Sequence, residues 1–268
     1  MEIRFQGGEA DEGLVNLHEG AESLSGIGRV ADLVSHFVAT GEVRYRAPYS
    51  GDLAYYISGT GSGSLRVLLR QLSHLRDEVQ AARAKRKTEK LFNRVIRRGL
   101  GQEDAGDLRI EGDVISAGTV DALTEAATPA LLRAHRWISN GDKTITVTGD
   151  DTRSIPLNEN TKEYLESEEV THRREAQDVS VAAVNVNSRN GRVFLEDLGR
   201  TVPYSVSRDA NPRTLTMLSR YLVQYAERRR LRANYNPNVA VEFIRVSYPD
   251  GRLKRLIIFD CYPIADAA

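Results

Sequence analysis

One cysteine in the whole chain, Cys261, excludes an intrachain disulfide and suits a reducing compartment. No apolar run approaches the roughly 18 to 20 residues that a membrane helix needs. The opening MEIRFQGGEADEG has no apolar stretch of the secretory kind. These absences predict a cytoplasmic protein without membrane contact. Net charge is missing too, because 37 basic and 37 acidic side chains balance. That argues against wholesale coating of DNA or RNA. The five histidines, at 18, 36, 74, 135 and 172, keep no close ligand spacing, and no second cysteine joins them. Asp209, Asp250 and Asp260 fall at strand ends or turns with no spacing that requires a metal. We therefore expect no metal and no cofactor. No serine sits in a G-x-S-x-G elbow. The run Gly59-Thr60-Gly61-Ser62-Gly63-Ser64 lacks both the lysine of a phosphate loop and dinucleotide spacing, so it reads as a hairpin turn. No catalytic residue is nominated.

What is present reads as α+β. Ile3 and Phe5 alternate with polar residues up to Gly7-Gly8, and Leu14 or Val15 with Leu17 repeat that strand pattern. Leu24, Ile27, Val30, Val34 and Phe37 then step by three and four, an amphipathic helix over 22–40 with Gly41 as its cap. Alternation returns at Glu42–Arg46 and at Leu53–Ile57, and LRVLLRQL follows. Residues 1–70 thus read as an N-terminal sheet with a packed helix. Residues 71–148 read as a helical middle. Leu72, Leu75, Val79 and Ala82 form a stripe, broken near Arg86 and Glu89 and resumed by Leu91 or Phe92, Val95 and Ile96. A hairpin is expected at DLRIEGDVISAG. Pro129 should begin a second helix or kink the first within 118–138. An Asn140-Gly141 turn precedes a strand. Residues 149–171, polar and acid-rich, read as a linker.

Residues 172–268 form the clearest module, a small five-stranded barrel-like or split α+β domain. Its strands are VSVAAVNVN, GRVFLED, RTVPYSVS, VAVEFIRVSY and RLKRLIIFDCY. Asn190-Gly191 should supply positive φ to the first turn. A helix over 212–229, opened by Asn211-Pro212, separates strands three and four. Oligonucleotide-binding and other small Greek-key barrels share that element order, a likeness that carries little functional weight alone.

Charge is concentrated in Arg76–Arg98, with nine basic against three acidic side chains. The natural ligand of such a field is an anion. The candidate anion or nucleic-acid contacts are Arg83, Lys85, Arg86, Lys87, Lys90, Arg94, Arg97 and Arg98. A second cluster joins Arg228, Arg229 and Arg230 to Tyr235, whose ring offers a stacking face. Each cluster also has a plainer reading. The first is a solvated helix face, and the second is a helix end whose cations complement the dipole.

The stretch SLSGIGRVADLVSHFVATGEVRYRAPYSGDLAYYISGTGSGSL, residues 23–65, resembles the opening of a group of uncharacterised bacterial proteins. The shared features are S-L-x-G-I, L-V-x-H and G-E-V-R-x-R-x-P. The resemblance covers about the first quarter of the chain. It implies a non-catalytic accessory role in mobile-element or antiphage gene clusters. We expect a non-enzymatic binding or assembly subunit, acting through self-association or a protein partner and an anionic ligand. One alternative is a nucleic-acid or nucleotide-binding protein using residues 76–98. A second is an enzyme without a recognisable motif.

Overall fold

Strand β1 (Glu2–Gln6) buries Ile3 and Phe5 completely, as their alternation requires. The computed structural model describes residues 1–61, 65–75, 77–139, 141–149, 153–231 and 238–264. Contacts divide the chain into two units, Met1–Glu166 and Ser167–Ala268. Both are mixtures of helix and sheet, so the fold is α+β.

In unit 1, a 3-10 turn at Gly8–Glu12 follows β1. Helix α1 (Leu17–Thr40) begins earlier than its apolar stripe suggests. The Asn16 side chain accepts from His18 N and Glu19 N, so Asn16 caps α1. Leu14 and Leu17 are solvent-exposed, and no strand forms there. Gly41 ends α1 at φ 76°, where glycine is the residue of choice. The alternation of 42–46 does not form a strand either. That segment belongs to a loop tied to α1, since Arg29 Nη2 donates to Tyr45 O and Ser50 N donates to His36 Nδ1. Strands β2 (Leu53–Gly61) and β3 (Arg66–Ser73) pair as a hairpin. The rest of the glycine run, 62–64, lies outside the described residues.

Leu72 belongs to β3, not to a helix. Helix α2 (Glu78–Gly99) starts at Asp77, which accepts from Val79 N and Gln80 N, and it runs unbroken through Arg86 and Glu89. Strands β4 (Leu108–Ile110) and β5 (Asp113–Ile115) make the expected hairpin. Helix α3 (Ala117–Ala134) contains Pro129 and is assigned as one helix across it. Strands β6 (Thr144–Thr148) and β7 (Ile155–Leu157) and helix α4 (Glu159–Glu166) complete the unit. Asn140, the first residue of the anticipated turn, is outside the described residues.

The sheet order is β2-β3-β1-β6-β7, so strands from both ends of unit 1 flank β1. Helices α1, α2 and α3 contribute to the same core as this sheet. Phe5 meets Trp137 edge to face at 5.2 Å. Sheet and middle helices therefore share one interior. Residues 153–166, part of the stretch read as linker, supply β7 and α4, with Ile155, Leu157 and Leu165 fully buried.

Unit 2 opens with β8 (Glu169–Val170) and β9 (Glu175–Asn185). Then come β10 (Asn190–Leu195), β11 (Arg200–Val206), α5 (Thr214–Leu231), β12 (Asn238–Ser247) and β13 (Leu253–Pro263). Strand β9 pairs with both β10 and β12, and β13 pairs with β12 and, in parallel, with β11. The five strands thus close as β9-β10-β11-β13-β12, with β8 added to β12. This is the strand order of an oligonucleotide-binding barrel, with its helix between the third and fourth strands. Val181, Val193, Tyr204, Leu218, Phe243 and Ile258 fill it.

The positive φ in the β9–β10 turn belongs to Arg189, at 52°, not to Asn190 or Gly191. Gly191 is needed for space. A Cβ there would lie 2.0 Å from Ala183 O and 2.5 Å from the Tyr204 hydroxyl. Helix α5 begins at Thr214, two residues after Pro212, and Asn211 Oδ1 accepts from Arg213 N.

Candidate functional site

The basic segment lies on α2, and most of its charge is met within the unit. Its C-terminal half is buried through Leu91, Phe92, Val95 and Ile96. The β4–β5 turn, with Glu111 at φ 49° and Gly112 at 89°, sets two carboxylates beside them. Arg83 Nη2 lies 3.0 Å from Asp113, and Lys87 Nζ lies 3.0 Å from the other oxygen of that carboxylate. Arg86 Nε reaches Glu111 at 2.5 Å. The hydrogen bond from Arg86 holds the Glu111 carboxyl below its usual range, and the bond from Lys87 does the same for Asp113.

Lys85 lies 3.7 Å from Glu89, one turn along. Arg94 pairs with Glu103 and donates to Asp104 O. Arg97 donates to the carbonyls of Arg153 and Ser154. Arg98 is only 6% exposed and pairs with Asp121 at 2.9 Å. Lys90 is exposed and adds to the positive field at Glu111. Such pairs reduce the charge left for an external phosphate.

Unit 2 presents the reverse. Residues 167–268 carry 16 basic and 12 acidic side chains, whereas residues 1–166 carry 21 and 25. The second cluster ends α5. Arg230 is exposed and Arg228 half-buried, while the Arg229 side chain and Tyr235 lie outside what is described. Arg213, just before the helix, and Arg220, near its middle, are also exposed. Sequence reading missed these two, although their spacing from Arg228 and Arg230 was visible. From Arg213 to Arg230 an α-helix spans about 25 Å at its usual rise. On the barrel wall, Val193 and Leu195 face inward, so Arg192 and Phe194 face out. Arg192 is held flat by its bonds to Thr201 Oγ1 and Thr201 O.

Two other titratable groups are structural. His135 is fully buried, with Nδ1 2.7 Å from Leu131 O and Nε2 2.8 Å from Thr161 Oγ1. A carbonyl only accepts, so Nδ1 carries the proton and Nε2 accepts from the hydroxyl. Burial lowers its pKa to about 4. The Cys261 thiol is buried and pushed up to about 12, which suits a small core residue rather than a nucleophile. Among the described residues, no group of three or more His, Cys, Asp or Glu is placed to hold a metal ion. No described helix is long and apolar enough to cross a membrane.

No curated protein and no solved structure matches the chain. Residues 1–111 match the family model of a domain of unknown function (DUF7946), and residues 175–261 match that of a family of unknown function (DUF7947).

Proposed function

We propose that this protein is an assembly subunit, joined to a second copy of itself along β2. The observation that supports this is the character of that strand. It is the outer strand of its sheet, nine residues long, and LAYYISGTG contains no charge. An edge strand offers unpaired N–H and C=O groups, and proteins guard such edges with charge, proline or a cover. Among the described residues, a bulge between Ile57 and Gly59 interrupts the strand, and Leu53–Ile57 is regular. Tyr56 and Ile57 are 49% and 66% exposed, and Leu68 and Leu72 on β3 are exposed beside them. An uncharged strand meets no like-charge repulsion from its own copy, and antiparallel pairing about a twofold axis is self-complementary.

Analytical ultracentrifugation over micromolar to high concentration tests the reading. We expect a dimer for the natural chain and monomers for Tyr56→Lys and Ile57→Lys, with unchanged melting temperatures. A monomer at every concentration, or a dimer indifferent to both lysines, rules it out. The resemblance of residues 23–65 supplies the setting, an accessory subunit of an antiphage or mobile-element assembly in the cytoplasm.

A second reading is favoured by α5. Arg213, Arg220 and Arg230 are exposed on a net-basic barrel unit, whereas the cations of α2 are mostly paired. Such a helix tracks phosphates without regard to sequence, and the strand order of the barrel adds an analogy with single-strand binders.

A further inference from the structure

Between α1 and α3 lies a cavity of about 570 Å³ that neither reading uses. Its lining follows one rule on both helices. Ser25, Gly28, Arg29 and Asp32 come from α1, and Ala126, Pro129, Ala130 and Arg133 come from α3. Each set has the spacing i, i+3, i+4, i+7, one continuous helix face. Tyr45, from the loop after α1, closes a third side.

Small residues on facing helices normally let the two backbones meet. Gly26 does so, since a Cβ there would lie 2.4 Å from Ala134 N and 2.5 Å from Ala130 O. Gly28 does not, because a Cβ there would meet nothing within 4 Å. A glycine inside a helix costs about 0.5–1 kcal/mol relative to alanine. At position 28 no packing contact accounts for it, and its effect is to keep space open.

The polar groups on the walls are prearranged. Arg29 donates from Nη2 to Tyr45 O at 3.2 Å, and its guanidinium stacks 4.1 Å from the Tyr49 ring. Arg133 is steadied by Glu22 at 3.3 Å. Asp32, one turn beyond Arg29, is solvent-exposed and accepts no hydrogen bond from the described residues, and partial desolvation raises its carboxyl pKa against the pull of Arg29. Two guanidinium groups and one solvent-exposed carboxylate thus border a wall of Ala126, Pro129 and Ala130.

We propose that this cavity binds a nucleoside monophosphate. The phosphate lies with Arg29 and Arg133, the base or ribose covers the alanine and proline wall, and an amino or ring N–H of the base donates to Asp32. Guanidinium groups favour phosphate through forked, charge-assisted bonds, and a carboxylate is acceptor-only. The volume falls in the range of roughly 300–1,000 Å³ typical of small-molecule sites. Inorganic phosphate alone would leave most of it empty. A free amino acid such as glutamate has no flat apolar part for the wall.

Thermal shift and calorimetry on the full chain, with AMP and GMP as ligands and inorganic phosphate and glutamate as comparisons, test the site. We expect a saturable rise in melting temperature with at least one nucleotide and little with phosphate or glutamate. Gly28→Leu should abolish that rise by filling the cavity, while its own melting temperature stays at or above that of the natural chain. Arg29→Gln should weaken nucleotide binding tenfold or more. Gly28→Ala, which adds one methyl into open space, should fold and still bind. The proposal is overturned by no saturable response to either nucleotide at millimolar concentration. An equal response to phosphate alone, or a response that survives both Gly28→Leu and Arg29→Gln, overturns it too.

Discussion

At the scale of single residues, His135 carries the clearest pH dependence. Its pKa of about 4 in the folded protein lies below the ordinary 6.5, because burial disfavours the imidazolium. The unfolded chain therefore binds the extra proton first. The stability that neutral His135 provides is complete above about pH 6.5 and is lost as pH falls toward 4. By linkage the loss reaches about 2 kcal/mol at pH 5. Unit 1 should melt lower at pH 5 than at pH 7.5, and His135→Gln should shrink that difference. An equal difference in the variant would remove His135 from the account. The ring was visible in the sequence, but its role was not. Its acceptor lies on its own helix and its donor, Thr161, is 26 positions away in a stretch that looked like linker. Gly191 was misread for a related reason. Asn-Gly is a turn signal, yet this glycine serves the approach of Tyr204 and the Ala183 carbonyl from neighbouring strands. Local patterns cannot show a neighbour that the fold supplies.

Among elements, the two charged helices separate by their partners. Nine cations in one run form the strongest local signal in the chain, yet the hairpin β4–β5 answers it with Glu111 and Asp113. We expect Arg83→Glu, Arg86→Glu and Lys87→Glu together to destabilise unit 1 by setting like charges against that hairpin, without changing retention of a fluorescent single-stranded oligo-dT. Arg220→Glu, Arg228→Glu and Arg230→Glu together should abolish retention or sharply weaken it. They should also flatten its salt dependence by about two units in slope, at about 0.7 per phosphate contact. Anisotropy titrations at several salt concentrations decide between the helices. No salt-sensitive binding by the natural chain would end the nucleic-acid reading. Elements with complete local signals were legible: α1 with Gly41, the β4–β5 hairpin, and the order of barrel strands around one helix. Three were not. Residues 42–46 alternate but lie in a loop beside α1, Leu72 fits a helical stripe but lies in β3, and α3 tolerates Pro129. In the first two, packing overrode a short periodic run, and in the third no second helix begins at the proline.

For the whole molecule, two separate cores imply two melting units. The boundary matters at the level of a few residues. Strand β8 pairs with β12, and Glu168 holds Lys254 at 3.3 Å and Arg255 at 2.9 Å. A piece spanning 167–268 should give a cooperative thermal transition. A piece beginning at 172 should melt several degrees lower for want of β8 and Glu168. If the longer piece is soluble but unfolded, the two units are not independent. The parallel pairing of β11 with β13 has a further consequence, one of order in time. The barrel closes only through β13, its last strand in the sequence, which joins β11 to β12. Synthesis proceeds from the N-terminus at about 5–20 residues per second. The nascent unit therefore spends seconds with β11 and β12 unjoined, their edges open to wrong partners. A ribosome pausing before Leu253 would lengthen that exposure, so its yield in cells should depend on translation speed there more than on its final stability.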